Sequence, residues 1–159
     1  MDQAAKPIKR SPQLAPLSRE HHEGLLFAWK IKQGLAKNIE RNRIAAFIQW
    51  FGSEHLQPHF QKEEQTLPPI LSTSHPMIQQ MFAEHQQIKH LIDESRHGDL
   101  KTLEKLLQTV NEHIRFEERV LFNEVEKTAS PDQLEALAVL LKDEVHDTVW
   151  EDAFWMPKS

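Results

Sequence analysis

Apolar residues recur along this chain at helical spacing, and no convincing segment alternates polar and apolar at period two. Ser18, with Leu17 just before it, is placed to cap a first helix that runs to about Lys37. A second helix is expected from about Glu40 to Thr66, with Ile44, Phe47, Ile48, Phe51 and Leu56 on its core face. Pro58 falls inside it and should kink it, because proline lacks the amide donor and crowds the preceding turn. Leu67-Pro68-Pro69 ends it. Ser74 with Pro76 opens a third helix, closed at Gly98 after His97. Asp99 caps a fourth, to about Lys127. Ser130-Pro131-Asp132-Gln133 combines an N-cap, a proline in the first turn and a capping-box glutamine, opening a fifth helix from Pro131 to about Trp150.

Four long helices joined by short connections predict an all-α fold, an up-down-up-down four-helix bundle with an additional C-terminal helix. Residues 1–16, with Pro7, Pro12 and Pro16, read as an extended arm, and 17–159 as the bundle plus its last helix. The aromatic tail (Trp150, Phe154, Trp155) and that helix are placed to pack across the bundle or meet a protein partner. Trp29, Trp50, Phe47, Phe60, Phe82, Phe116 and Phe122 read as mostly core. With 159 residues, 39% of them apolar, the chain suits one domain with a real core. No apolar run approaches the ~20 residues that span a bilayer, and the N-terminus lacks the apolar stretch of a secretory signal. The expectation is a cytoplasmic protein that does not bind membranes. A net charge of −5 with scattered basic residues argues against nucleic acid.

Cysteine is absent, while histidine reaches ten. Disulfides, thiolate catalysis and iron–sulfur clusters are excluded, and any bound metal is held by nitrogen and oxygen alone, which favours iron, manganese or zinc over copper(I). Two segments carry the same pattern. His59-Phe60-Gln61-Lys62-Glu63-Glu64 lies on the second helix, and His113-Ile114-Arg115-Phe116-Glu117-Glu118 on the fourth; each is followed, after two intervening residues, by leucine. A histidine and a glutamate four apart share one helix face. There the imidazole offers nitrogen to one metal, and the carboxylate has oxygens enough to bridge two. Each pair is preceded by a helix with an isolated histidine: Glu20-His21-His22 on the first, Glu84-His85 on the third. The chain thus reads as a duplicated helical hairpin. The candidate ligands are His22, His59, Glu63, His85, His113 and Glu117, six donors that leave positions open for a small molecule. His22 is preferred to His21 because apolar residues follow it at plus three and plus four, as one does His85 at plus three. His21 and His55, one turn before His59, stay open as alternates. Glu64 and Glu118 are either solvated or hydrogen-bonded to a ligand histidine. His75, His90, His97 and His146 read as surface residues. Phe60 and Phe116 flank the ligands and either keep the site dry or merely pack.

This order of residues resembles the hemerythrin-like, or HHE cation-binding, domains, over Leu17 to about Trp150. The resemblance implies two iron ions in an Fe–O–Fe type centre. His22, His59, His85 and His113 would each bind one iron, and Glu63 and Glu117 would bridge them; manganese or zinc are alternatives. It also implies a protein that binds or senses a small oxidant or diatomic ligand (dioxygen, nitric oxide, peroxide) or iron itself. The oxygen-carrying hemerythrins place His-x3-His on the third helix, where this chain has Met81 and Lys89 around His85, and His-x4-Asp on the fourth, where it has Glu117 and Glu118. A four-histidine variant is the closer match, and oxygen storage the weaker expectation. A di-iron enzyme reducing oxygen, peroxide or nitric oxide is the alternative, although the absence of tyrosine excludes a tyrosyl radical. A structural metal-binding bundle is the third reading.

Overall fold

A computed structural model of the chain describes residues 9–142 and 149–157, and every regular element among them is helical. The elements are α1 (Ala15–Ala36), α2 (Arg41–Phe51), α3 (Gln57–Thr66), α4 (Pro68–Leu71), α5 (Pro76–Glu94), α6 (Leu100–Phe116), α7 (Phe122–Thr128) and α8 (Pro131–Leu140). A π turn, Gly52–Leu56, joins α2 to α3, and a second, Glu117–Leu121, joins α6 to α7. The described residues therefore form four long rods: α1, α2–α3, α5 and α6–α7. The rod of α6 packs against both α1 and α5, and α2 against α1 and α5.

Local chemistry explains most boundaries. Asp99 accepts the Thr102 amide, and the Ser130–Gln133 capping box is fully formed. Gly98 closes the turn after α5 in the left-handed region, φ +66°, where a side chain would be strained. Three boundaries differ from expectation. The first helix begins at Ala15 rather than after Ser18, with Pro16 in its first turn, where a proline fits without losing a needed donor. The Ser18 hydroxyl instead donates to Glu118. His75, not Ser74, caps α5, its Nδ1 accepting the Met77 amide. The last helix stops at Leu140; 143–148, with His146, lie outside the described residues. Pro58 is the second residue of α3, just after the π turn. There the Gln57 amide reaches back to Gly52, a widened turn of the kind that relieves a proline's clash with the preceding carbonyl.

Two apolar clusters fill the bundle. One is built from residues such as Phe27, Ile31, Phe47, Ile48, Ile92, Leu103 and Leu106. The other gathers Leu14, Leu17, Leu67, Ile78, Met81, Leu121, Phe122 and Val125. On α1, α5 and α6–α7 the candidate histidines and glutamates fall in sequence between these clusters, and on α3 among Leu56, Phe60 and Leu67. Trp29, expected in the core, is 48% exposed. The aromatic tail folds back on its own bundle. Phe154 is buried beside Phe47, Arg43 grips Asp152 through two hydrogen bonds of 2.8 and 2.5 Å, and Lys30 lies over the Trp155 ring.

Gly34 makes the tail's seat possible. A Cβ there would stand 2.7 Å from Phe154 Cε1 and 3.0 Å from Ile44 Cδ1. Gly34→Ala should therefore cost about 1–3 kcal/mol through overpacking, against roughly 1 kcal/mol gained in helix propensity. The net loss should shrink or reverse in a Phe154→Ala background. Urea melts of the two single variants and the double variant measure this directly; equal costs in both backgrounds would contradict the seat.

Candidate metal centre

Four histidines and two glutamates meet in the bundle interior. His21, His59, Glu63 and Glu117 each offer a ligand atom within 4.8 Å of the others, and Glu63, His85, His113 and Glu117 do the same. Glu63 and Glu117 belong to both groups and are 0% exposed. The helix register produces this. His59 and Glu63 are four apart on α3. His113 and Glu117 are four apart where α6 passes into its π turn, so each pair projects from one face. The Nε2 atoms of His59, His85 and His113 lie 3.3, 3.1 and 3.1 Å from their nearest glutamate oxygens, and His21 Nε2 is 2.7 Å from Glu117.

The other ring nitrogen of every histidine is held by an outer carboxylate. Glu20 on α1 accepts from His59 Nδ1 at 2.8 Å. Glu64 on α3 accepts from His85 at 2.7 Å, Glu84 on α5 from His113 at 2.7 Å, and Glu118 from His21 at 2.7 Å. The four pairs step from α1 to α3, to α5, to α6 and its π turn, and back to α1, a closed ring around the bundle. Fixing the proton on Nδ1 leaves the Nε2 lone pair facing inward, the arrangement a metal-binding imidazole needs. Rings seal two corners: Phe60 stacks on His85 at 3.9 Å, and Phe122 on His21 at 5.2 Å. Phe116, expected beside the ligands, is only half-buried.

The donor set fits a cation. His59 Nε2, His85 Nε2, His113 Nε2, both Glu63 oxygens and Glu117 Oε2 are buried without a hydrogen-bond partner among the described residues. So many orphaned buried groups converging on one space are costly unless a cation satisfies them. Nitrogen and carboxylate donors suit iron, manganese or zinc.

The expectation that His22 is the inward residue on the first helix is corrected. His21 is 4% exposed and joins the cluster, while His22 is exposed on α1. The position three after His21 is Gly24, which carries no apolar side chain to mark the inward face. The helices approach closely here: a Cβ on residue 24 would lie 3.0 Å from Ile114 Cδ1, which would have to yield by a few tenths of an ångström. A better signal was present: Glu20-His21 repeats Glu84-His85, and both glutamates support a histidine on the next rod. Glu20 and Glu84 were not singled out. His55 stays outside both groups, stacked on Phe51 at 4.8 Å. Glu64 and Glu118 hydrogen-bond histidines, the second of the two roles considered for them. His90 and His97 are exposed and His75 half-buried.

These features define a helical bundle with a buried cation-binding cluster. A family model for the hemerythrin HHE cation-binding domain matches residues 17–125, and the chain belongs to that family. No curated protein and no solved structure matches it.

Without a cation, protons must balance the two central carboxylates. Burial opposes charge on His85 and His113, yet the carboxylates that face them, Glu117 first and then Glu63, Glu64 and Glu84, prevail, raising them to about 11 and about 9 from 6.5. His21 and His59 are also raised despite burial, chiefly by Glu117 and by Glu63 respectively. Burial and Glu117 push Glu63 upward, but His59 and His21 win and hold it at about 2; Glu117 is held well below its ordinary value, burial notwithstanding. The raised imidazoles stabilise the metal-free fold fully below pH 6.5, and this is lost as pH rises through about 9 and 11. The depressed Glu63 adds stability above pH 4.5 that is lost on acidification toward about 2. The Tm of the metal-free protein should thus fall from about pH 6.5 to about pH 10. The Tm gained on adding zinc or iron should grow over the same interval, because a cation must displace those protons. Differential scanning calorimetry across that range checks both; a metal-free Tm that rises would refute the charge balance.

His21 and His22 supply a second test. His21→Ala should cost about one metal equivalent and His22→Ala none, read by elemental analysis after gel filtration. The reverse pattern would put the register of α1 one residue out.

Proposed function

We propose that this protein is a non-haem di-iron protein that binds or senses a small oxidant or diatomic ligand. The observation that carries this reading is the sharing of Glu63 and Glu117 by two overlapping ligand groups. A single-metal site has no use for two such groups, whereas a pair of bridging carboxylates serves two cations. His21 and His59 would hold one iron, and His85 and His113 the other. Each metal then has two imidazoles and two carboxylate oxygens, fewer donors than the six that iron commonly takes, which leaves room for a ligand. Iron in this setting supplies redox and Lewis-acid chemistry. The same reading takes the four rods to run up, down, up and down, since short connections link each to the next.

The surroundings favour a small ligand of low polarity. Beside the cluster, Gly24, Leu56, Phe60, Ile88, Val110 and Ile114 border, together with Glu20, His21, His59 and His113, a cavity of about 10 Å³, about the least space that holds one water-sized molecule. A neighbouring pocket lined by Glu23, Phe51 and His55 shares Glu20, Leu56 and His59 with this cavity. The outer carboxylates hold the imidazoles in place, and Phe60 keeps water from His85.

Metal-replete protein should contain two iron equivalents per chain and absorb in the near ultraviolet as a bridged pair does. Glu63→Ala or Glu117→Ala should abolish two-metal binding. Glu64→Ala or Glu118→Ala should keep both metals, with affinity weakened about 10–100-fold. The adjacent glutamates are chemically identical, so only their facing differs. One equivalent in the parent protein, or zinc alone from iron-supplemented cells, would overturn the di-iron reading.

A further inference from the structure

The described residues before α1, 9–14, approach the centre at the His21 corner. Arg10 is 7% exposed by side chain, and the contacts of its guanidinium among the described residues fall on the α6–α7 rod. Its guanidinium donates to Glu126 at 2.7 Å, to Asn123 at 3.3 Å and to the backbone carbonyl of Glu118, and lies 3.7 Å from the Glu118 carboxylate. The Ser11 amide donates to Glu126 at 2.6 Å, and Leu14 is fully buried in the cluster that holds Phe122.

The Glu118 carbonyl is the telling acceptor. In the π turn the Phe122 amide bonds to Glu117 rather than to Glu118. The wider turn therefore deprives the Glu118 carbonyl of the amide that an α-helix would give it. Arg10 supplies the missing donor. That turn carries Glu117, shared by both ligand groups, and Glu118, which holds His21 Nδ1. A second path leads to the same histidine: Arg10 sits over the Phe122 ring at 5.3 Å, and Phe122 stacks on His21. The other three histidines take their outer carboxylates from Glu20, Glu64 and Glu84, whereas the contacts of Arg10 among the described residues lead to Glu118, Phe122, Asn123 and Glu126. Both Arg10 and its partner Glu126 lie outside the stretch 17–125 matched by the family.

We propose that Arg10 is a positioning residue for the His21 corner: it stabilises the π turn and aims Glu118, and through them tunes how tightly the first of the two cations is held. The metal assignment rests on the di-iron reading above; the positioning of His21 does not.

The test uses the full chain with Arg10→Ala, and Leu137→Ala as a variant that damages the same apolar cluster without touching Glu118. In metal-free protein, imidazole ¹H–¹⁵N NMR should show the Nδ1 signals of His21 displaced by Arg10→Ala, with His59, His85 and His113 unchanged; Leu137→Ala should leave all four. In iron-loaded protein, a chelator should remove one equivalent about 10-fold or more faster from Arg10→Ala and the other at the parental rate, measured at the same interval below each variant's Tm. Unchanged His21 signals, or four histidines displaced alike, would overturn the proposal. So would two equivalents released equally fast, or the same single-site loss in Leu137→Ala. Parent protein that holds fewer than two metals while His21 alone responds in the NMR experiment would sink the di-iron reading and leave the positioning role standing.

Discussion

Two carboxylates with no exposure to water, Glu63 and Glu117, set the terms for this molecule. A buried carboxylate without compensation costs several kcal/mol even after the protein relaxes, and here two face one interior space between apolar clusters. Positive charge must meet them, from imidazolium protons or from cations. Every histidine in the cluster is arranged to provide either. Its Nε2 faces the glutamates, and its Nδ1 is tied to a carboxylate farther out. The centre is thus a polar layer whose charges are balanced in two states.

The outer carboxylates turn four separate corners into one construction. Each rod supplies a glutamate to the histidine of the next, so no rod can rotate or slide without breaking a charged hydrogen bond on two sides. Hydrogen bonds to charged groups contribute about 1.5–3 kcal/mol each when well formed, and in a closed ring they also fix the rotation of each helix. This gives the bundle a single register, which apolar side chains of similar size do not enforce by themselves.

The departures from regular helix sit beside the centre. The Gly52–Leu56 turn precedes His59, and the Glu117–Leu121 turn carries the second shared glutamate and its outer neighbour. A π turn offsets everything beyond it by one residue, so it lets the ligand-bearing stretch and the apolar stretch of one rod face the same axis. It also frees a carbonyl, and in the second case a residue from the opposite end of the sequence answers it. Among the described residues the two halves of the duplicated plan are consequently not equivalent: the His21 corner has Arg10 against it.

The sequence alone determined the helical class, the caps at Asp99, Gly98 and Ser130, the paired His-x3-Glu signature and the family. These follow from contacts within a few residues, where helix geometry dictates which side chains share a face. The structure gathers the residues expected from the sequence except on the first helix, where two adjacent histidines differ by about 100° in direction. Only the packing of α1 against α6, with Gly24 as the close-approach residue, turns His21 inward. The ring through Glu20, Glu64, Glu84 and Glu118 likewise joins residues from 21 to 97 positions apart, and local periodicity is blind to such pairs. The exposure of Trp29, the end of the last helix at Leu140 and the burial of Arg10 belong to the tertiary structure for the same reason. Each is decided by which surface another rod happens to cover, and that is a property of the assembled bundle.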